Sequence, residues 1–403
     1  MKTLTSALLL FLLFTSACNN ADPEPDPKKI DLSLKSKQLV EADNSFGLEV
    51  FQRLNETEKG NFNISPLSIS QALAMTYNGA RGETKAAMEE ALKKAGFTTD
   101  EINQSYQSLV KALLGADSKV TLEIAQSIWY RKGFNVLQDF KTVNQTYYDA
   151  EVKELDFSRS DALKNINGWI EDKTHDKIKD MIKEIDPDHV MFLINAVYYY
   201  AEWQTKFDKK NTSKQDFTKE DGSIVKVDMM SKTDSVNYLS NKLFTAVQLP
   251  YGRGNFNMVV MVPNETYECN DLVDQLTSEN WNKWMQSFHM TNSLNIELPK
   301  FKAEYEVKLN DVLSAMGMEI AFTKLADFTG INSKGEIYID YVQHNTFIEV
   351  DENGTEAAAA TVVSMKDYAA MPIFFKANKP FLFAITEKET GVILFIGKIK
   401  NPN

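Results

Sequence analysis

Apolar residues fall at helical spacing through the first part of the chain, and in alternating or continuous runs toward its end. Leu39, Val40, Phe46, Leu48, Val50 and Phe51 keep a period near 3.6 and predict a helix over residues 36–54. Ser65-Pro66 opens a second helix, with Ser65 as its cap and Pro66 in the first turn, where a missing N–H costs nothing. That helix carries Leu67, Ile69, Leu73 and Met75 and should stop near Asn78-Gly79; a polar helix follows over 83–94. Val120, Leu122 and Ile124 alternate with Thr121, Glu123 and Ala125, which predicts a strand running toward Trp129. Ile166, Trp169 and Ile170 fit a helix, as do Ile178, Met181 and Ile182. Residues 190–200, VMFLINAVYYY, are nearly all apolar and β-favouring, as a strand buried on both faces should be. Asn195 in its middle then needs partners, because a buried amide left unbonded costs about 1–3 kcal/mol. Strands are predicted at 243–249, 256–262, 294–298, 337–341, 346–350, 381–386 and 392–399, and helices at 271–285 and 307–316. Helices dominate early and strands late, the order of an α+β domain.

One stretch has neither pattern. Residues 349–371, EVDENGTEAAAATVVSMKDYAAM, have no helical apolar face and lie between two strand-like runs, at 345–350 and 372–375. A loop of roughly 20 residues inside a compact domain is uncommon and usually functional. Gly354 offers a hinge. With a period of two, Thr355, Ala357, Ala359, Thr361, Val363 and Met365 share one face, small at first and then apolar. Such a segment could enter an existing sheet as an added strand. An exposed Ala-rich helix fits the same residues, since Ala is the best helix former.

Composition narrows the function classes. The 403 residues are 43% hydrophobic and 25% charged, enough for a sizeable core, and no internal linker divides them. A net charge of −12 argues against a nucleic-acid partner. Residues 1–17 have a basic start, an apolar run over 7–14 and small residues before Cys18, which reads as a secretory signal too short to span a bilayer. A cut after Ala17 would leave Cys18 first, as in bacterial lipoproteins whose thiol carries lipid, although Thr15 stands where Leu is commoner. Residues 18–35, rich in Pro and charge at 19–29, would then be a flexible tether. Catalytic patterns are poor. The histidines, His175, His189, His289 and His344, have no metal-ligand spacing; Cys269 is the only internal cysteine; no GxSxG elbow or Walker loop occurs. No cofactor or metal is expected.

The hinge segment ENGTEAAAAT resembles the proximal hinge of the serpins, whose reactive loop inserts into their own central sheet. NFNISPLSI (61–69), FLINAVYYYAEWQTKF (192–207), ELPKF (297–301), NKPFLFAI (378–385) and FIGKIKNP (395–402) resemble serpin segments in the same order, so that the likeness covers residues 36–403. It implies a serpin fold, with helices packed around three β-sheets and an exposed reactive loop over 352–372.

The likeness also implies roles. Glu352, Gly354, Thr355, Glu356, Ala357, Ala358, Ala359 and Ala360 would form the hinge. Ser65, Ser68, Asn195 and His344 would form a polar cluster beneath the sheet that controls how easily two central strands part. Trp203, Phe207, Thr212 and the pair Lys300 and Glu352 would stand where insertion begins. A target protease would attack the loop, form an acyl-enzyme and be carried along as the loop inserts; the chain supplies no catalytic residue. Counting sixteen residues from Glu352 puts the attacked bond at Tyr368-Ala369, with Lys366 and Ala370 as alternatives. Tyr368 would suit a chymotrypsin-like, Ala369 or Ala370 an elastase-like, and Lys366 a trypsin-like protease, and cysteine-type proteases are targets the loop also admits. The expected protein is a monomer held by lipidated Cys18 in a bacterial outer membrane, periplasmic or surface-exposed, or else secreted. A serpin-fold binding protein without inhibitory action is the alternative.

Overall fold

Ser33 caps the first helix, its side chain accepting from the Ser36 amide, and α1 (Leu34–Thr57) buries the face that carries Leu39, Val40, Phe46, Val50 and Phe51. The computed structural model describes residues 29–355 and 373–403. After α1, β1 (Phe62–Ile64) leads into α2 (Pro66–Tyr77), where the Ser65 hydroxyl accepts from the Ser68 amide and Pro66 sits in the first turn. Next come α3 (Gly82–Ala91), α4 (Thr99–Leu114), β2 (Val120–Arg131), α5 (Gln138–Tyr148), β3 (Glu151–Leu155), α6 (Ala162–Lys173) and β4 (Met191–Glu202). A run of strands follows: β5 (Ser213–Thr218), β6 (Ile224–Ser240), β7 (Phe244–Tyr251) and β8 (Phe256–Pro263). The last third holds α7 (Cys269–Asp274), α8 (Ser278–Ser287), β9 (His289–Pro299), β10 (Phe301–Lys308), the single turn α9 (Asn310–Leu313), β11 (Gln343–Val350), β12 (Gly354–Thr355), β13 (Phe374–Lys376), β14 (Phe381–Glu387) and β15 (Ile393–Ile399).

These strands form three sheets among the described residues: nine strands in the order β1-β15-β14-β8-β7-β6-β9-β13 with β5 on β6, a pair β10-β11, and four strands in the order β12-β4-β2-β3. The hairpin β14-β15 is buried along its whole length, and with α1 and α2 it forms the main core. The α+β architecture matches the expectation from the pattern.

Four expected elements differ. The helix expected over 271–285 is two, α7 and α8, because Gln275 ends the first and Thr277 caps the second, its side chain accepting from the Asn280 amide. Ile178, Met181 and Ile182 are buried but not helical: His175, Asp176 and Asp180 have φ of 50°, 62° and 49°, left-handed values that no α-helix accommodates. Residues 174–190 instead form an irregular strap over β4. Val307 belongs to strand β10 rather than to a helix over 307–316, and Gly317, with φ 99°, interrupts the short helical turns that run from Asn310 to Phe322. Residues 337–341 form no strand; the Ile339 amide donates to the Ala321 carbonyl, outside any ladder. The folded part also starts before residue 36, since Ile30 and Leu32 are buried and α1 begins at Leu34, so the last residues expected in the tether are packed on the domain.

Candidate functional site

Strand β4 pairs with β2 from Met191 to Ala201, and β11 pairs with β10 from Gln343 to Val350. Among the described residues no ladder joins β4 to β11. Between them runs a slot that opens at one end into a cleft of about 660 Å³, lined by Ser68, Met191, Leu193, Asn195, Gln343 and His344. Toward the other end only a void of about 10 Å³ remains beside Val197, Tyr199, Phe347 and Thr355. The strap over 174–190 crosses this slot and holds both sides. On the β4 side His175 stacks on Tyr198 at 4.2 Å and lies 3.2 Å from Glu123. On the other side Lys177 lies 5.1 Å above the Phe347 ring, Lys183 pairs with Glu306 at 3.0 Å and His189 with Asp340 at 3.0 Å.

At the closed end the chain after β11 turns back. Asp351 accepts from the amides of Asn353 and Gly354, at 2.8 and 3.3 Å, and this turn delivers β12 alongside β4, with Gly354 opposite Glu202 and Thr355 opposite Ala201. Glycine is required there: φ is 152°, and a Cβ would stand 2.2 Å from the Ala201 carbonyl oxygen. Thr355 is 3% exposed, and its Oγ1 lies 2.8 Å from the Tyr251 hydroxyl. The Tyr251 ring stacks on Trp203 at 4.4 Å and 10°, and Trp203 meets Phe207 edge-on at 6.1 Å. Trp203 Nε1 donates to the Asp351 carbonyl at 2.9 Å, and the amides of Trp203 and Phe207 donate to the carbonyls of Asn353 and Glu352.

Glu352 completes this corner. Its Oε1 accepts from the Thr212 hydroxyl at 2.9 Å, and its Oε2 lies 3.0 Å from Lys300 Nζ. Burial opposes the Glu352 charge, but backbone hydrogen bonding, Lys300 and Thr212 outweigh it and hold the carboxyl below its ordinary range. Lys300 remains 39% exposed, so Lys300→Ala should cost no more than about 1 kcal/mol in a urea titration. A loss near 3 kcal/mol would show that the pair behaves as a buried one.

A second cluster lies beneath the slot. The Ser65 amide donates to His344 Nε2 at 3.0 Å, the Ser68 amide to Ser65 Oγ at 3.3 Å, and the Ser68 hydroxyl to Asn195 Oδ1 at 2.6 Å. Thus the four residues expected beneath the sheet are in one chain of hydrogen bonds, linking α2, β4 and β11. Gln71 and Gln126 extend it, the Gln71 Oε1 accepting from both Asn195 and Gln126. Burial pushes the His344 imidazole down to about 3, which keeps it neutral. Three residues of these two clusters escaped the sequence reading: Gln71, Gln126 and Tyr251. Lys232 escaped it too; it is buried beside Phe207, 3.0 Å from Asp234. Glu356, Ala357, Ala358, Ala359 and Ala360 of the expected hinge, the expected cleavage positions Lys366, Tyr368, Ala369 and Ala370, and the expected lipid site Cys18 all lie outside the described residues.

The family profile of the serpins, described as serine protease inhibitors, matches residues 41–402. The chain belongs to the serpin family. Serpin B6 of Macaca fascicularis is 35% identical over 375 residues, 90% of this serpin and 99% of the relative. The leukocyte elastase inhibitor of Equus caballus is 32% identical over 380 residues, 91% of this serpin and 100% of that chain. Among solved structures, the thermophilic serpin tengpin in its native state superposes with a TM-score of 0.83 at 34% identity, covering 94% of this serpin and 96% of tengpin. The open slot and its two-residue strand β12 are thus features of a serpin whose sheet has been entered by Gly354 and Thr355 alone among the described residues.

Proposed function

We propose that this serpin inhibits serine-type endopeptidases as a suicide substrate and is no enzyme itself. The observation that carries the reading is the position of β12: it already pairs with β4 at one end of the interval between β4 and β11, which no ladder joins among the described residues. Extending that register one residue at a time would set Ala357 opposite Tyr199, Ala359 opposite Val197 and Thr361 opposite Asn195. Thr355 points inward, so these three residues and then Val363 and Met365 would point inward too. Each is small or apolar except Thr361, and Thr361 would arrive beside the one polar side chain of that part of β4, Asn195. Entry beyond Thr355 requires β4 and β11 to move apart, since only about 10 Å³ is free beside Val197 and Tyr199.

In this reading the protease attacks near Tyr368-Ala369, with Lys366 and Ala370 as further sites, and forms an acyl-enzyme. The freed loop fills the slot, and the protease is dragged along before deacylation. The cluster of Ser65, Ser68, Asn195 and His344 sets how easily β4 and β11 part; Trp203, Phe207, Thr212, Lys300 and Glu352 hold the entrance. The relative named a leukocyte elastase inhibitor supports an elastase-like target.

The test is incubation of the mature chain with an elastase, a chymotrypsin and a trypsin, followed by denaturing gels and mass spectrometry of the released C-terminal peptide. A complex that survives denaturation is expected, and the peptide's first residue identifies the bond. Cleavage with no complex in any of the three would favour a non-inhibitory binding protein. We also propose that residues 1–17 are removed, that Cys18 is lipidated and that the domain is tethered to a bacterial envelope. Fatty-acid labelling that persists in Cys18→Ser would refute this.

A further inference from the structure

We propose that Ile373 and Phe374 are a secondary docking patch for the attacking protease. The inference rests on the inhibitory reading, but the test below separates the two. Phe374 is 64% exposed and Ile373 45%, the one pair of adjacent residues among the large exposed apolar side chains of the described residues. Other such side chains, among them Leu34, Ile224 and Met290, are scattered singly, which is ordinary for a soluble surface.

The pair is rigidly mounted. The Asn295 amide donates to the Ile373 carbonyl at 3.0 Å, and β13 runs parallel to β9. Phe375 is 1% exposed and anchors the strand in the core, while Lys376 bonds to Glu297 at 2.6 Å and to Gln215 at 2.7 Å. Contact with a fixed apolar pair needs little further ordering, which favours binding.

Position selects the occupant. From Tyr368-Ala369 to Phe374 is five or six residues, so the two are separated by no more than about 22 Å of extended chain. A protease–inhibitor interface covers about 800 Å² on each side, a patch about 30 Å across. An enzyme centred on that bond covers about 15 Å to either side, so it reaches β13 when the five or six intervening residues are not fully extended. A second copy of this chain is the poorer candidate, because a stable dimer needs about 20–30 residues a side and this patch supplies two. A protease takes its remaining contacts from the loop.

The patch would act before the bond is cut and play no part once the loop has moved. Removing it should therefore slow the encounter and leave the division between trapping and release unchanged. The experiment uses mature chain carrying Phe374→Ser, alone and with Ile373→Ser, and reads with chymotrypsin the second-order rate at which intact chain is consumed, counting complex and cleaved product together. The expected result is a rate lower by about tenfold, with the ratio of complex to cleaved product and the melting temperature unchanged. Phe374→Leu should recover most of the rate.

Rates within twofold of wild type would overturn the proposal. So would sedimentation showing a wild-type dimer that Phe374→Ser dissolves, since the occupant would then be a second copy. If the wild type is consumed without forming complex, the inhibitory reading fails, and the rate still decides the patch. If chymotrypsin does not consume the chain at all, the patch as proposed falls.

Discussion

Thr355→Arg is expected to turn the protein from an inhibitor into a substrate, with the yield of denaturation-resistant complex falling at least a hundredfold. Thr355 is 3% exposed, with its hydroxyl 2.8 Å from that of Tyr251 and the Tyr251–Trp203 stack behind it. The free space beside it is about 10 Å³, less than a side chain requires. A guanidinium there would be forced against the Tyr251 ring in a space already filled, and the effective penalty for burying an ion without well-placed partners is several kcal/mol. Every 1.4 kcal/mol added to the insertion barrier slows that step tenfold. Because insertion competes with deacylation, a hundredfold slower insertion would let hydrolysis win. The cleavage rate should stay near wild type, since the altered residue is far along the chain from the attacked bond. Thr355→Val is the companion variant: it loses only the Tyr251 bond and should keep trapping. Complex formation by Thr355→Arg at the wild-type yield would sink the insertion mechanism.

What could be read from the chain depended on whether function left a local mark. The hinge did, because a strand that must slide into a packed sheet needs small side chains, and Thr355 to Ala360 are small except for Glu356. The partner strand β4 did as well, through its unbroken apolar run. Its outward face is only half-buried, however, because the strap covers it incompletely. That strap misled the reading: Ile178, Met181 and Ile182 are spaced as on a helix, yet their burial comes from lying across Trp169, Phe192 and Phe347 in an irregular path. The four-residue cluster under the slot carried no periodic signal and was legible only through family likeness. Gln71 and Gln126 show why. A buried amide is recognisable only once its partner is known, and Gln71 meets Gln126 and Asn195 across 55 and 124 residues of chain. Tyr251 was hidden by Pro250, which argues against a strand interior, yet β7 continues through Pro250 opposite Asn257. Strand β5 and the 17-residue β6 were missed because their mixed burial lacks a clean alternation.

Acidification should loosen the same machinery through His344. Its Nε2 accepts from the Ser65 amide at 3.0 Å, so the proton of the neutral ring sits on Nδ1, and protonation of Nε2 would break that bond. Burial lowers its pKa from 6.5 to about 3, so between these values the unfolded chain binds a proton that the native one refuses. The sign follows: the contribution is complete above pH 6.5 and is lost as pH falls toward 3, at about 1.4 kcal/mol per pH unit. Carboxylates held below their ordinary 4.5, such as Glu49, Glu151 and Glu352, add to this loss only at lower pH. Glu387 works in the opposite direction, because burial raises its pKa and its native protonation becomes easier as pH drops. A comparison with His344→Gln, which keeps an acceptor for Ser65 but cannot titrate, cancels Glu387. From pH 6.5 to 4.5 the wild type should lose about 2–3 kcal/mol more than that variant in urea titrations. Since His344 ties β11 to α2 beneath the slot, the same fall in pH should ease the parting of β4 and β11, seen as faster spontaneous loss of inhibitory activity. Equal pH slopes in the two proteins would show that the ring either finds a buried counter-charge or is reached by water, and would remove it from control of the slot.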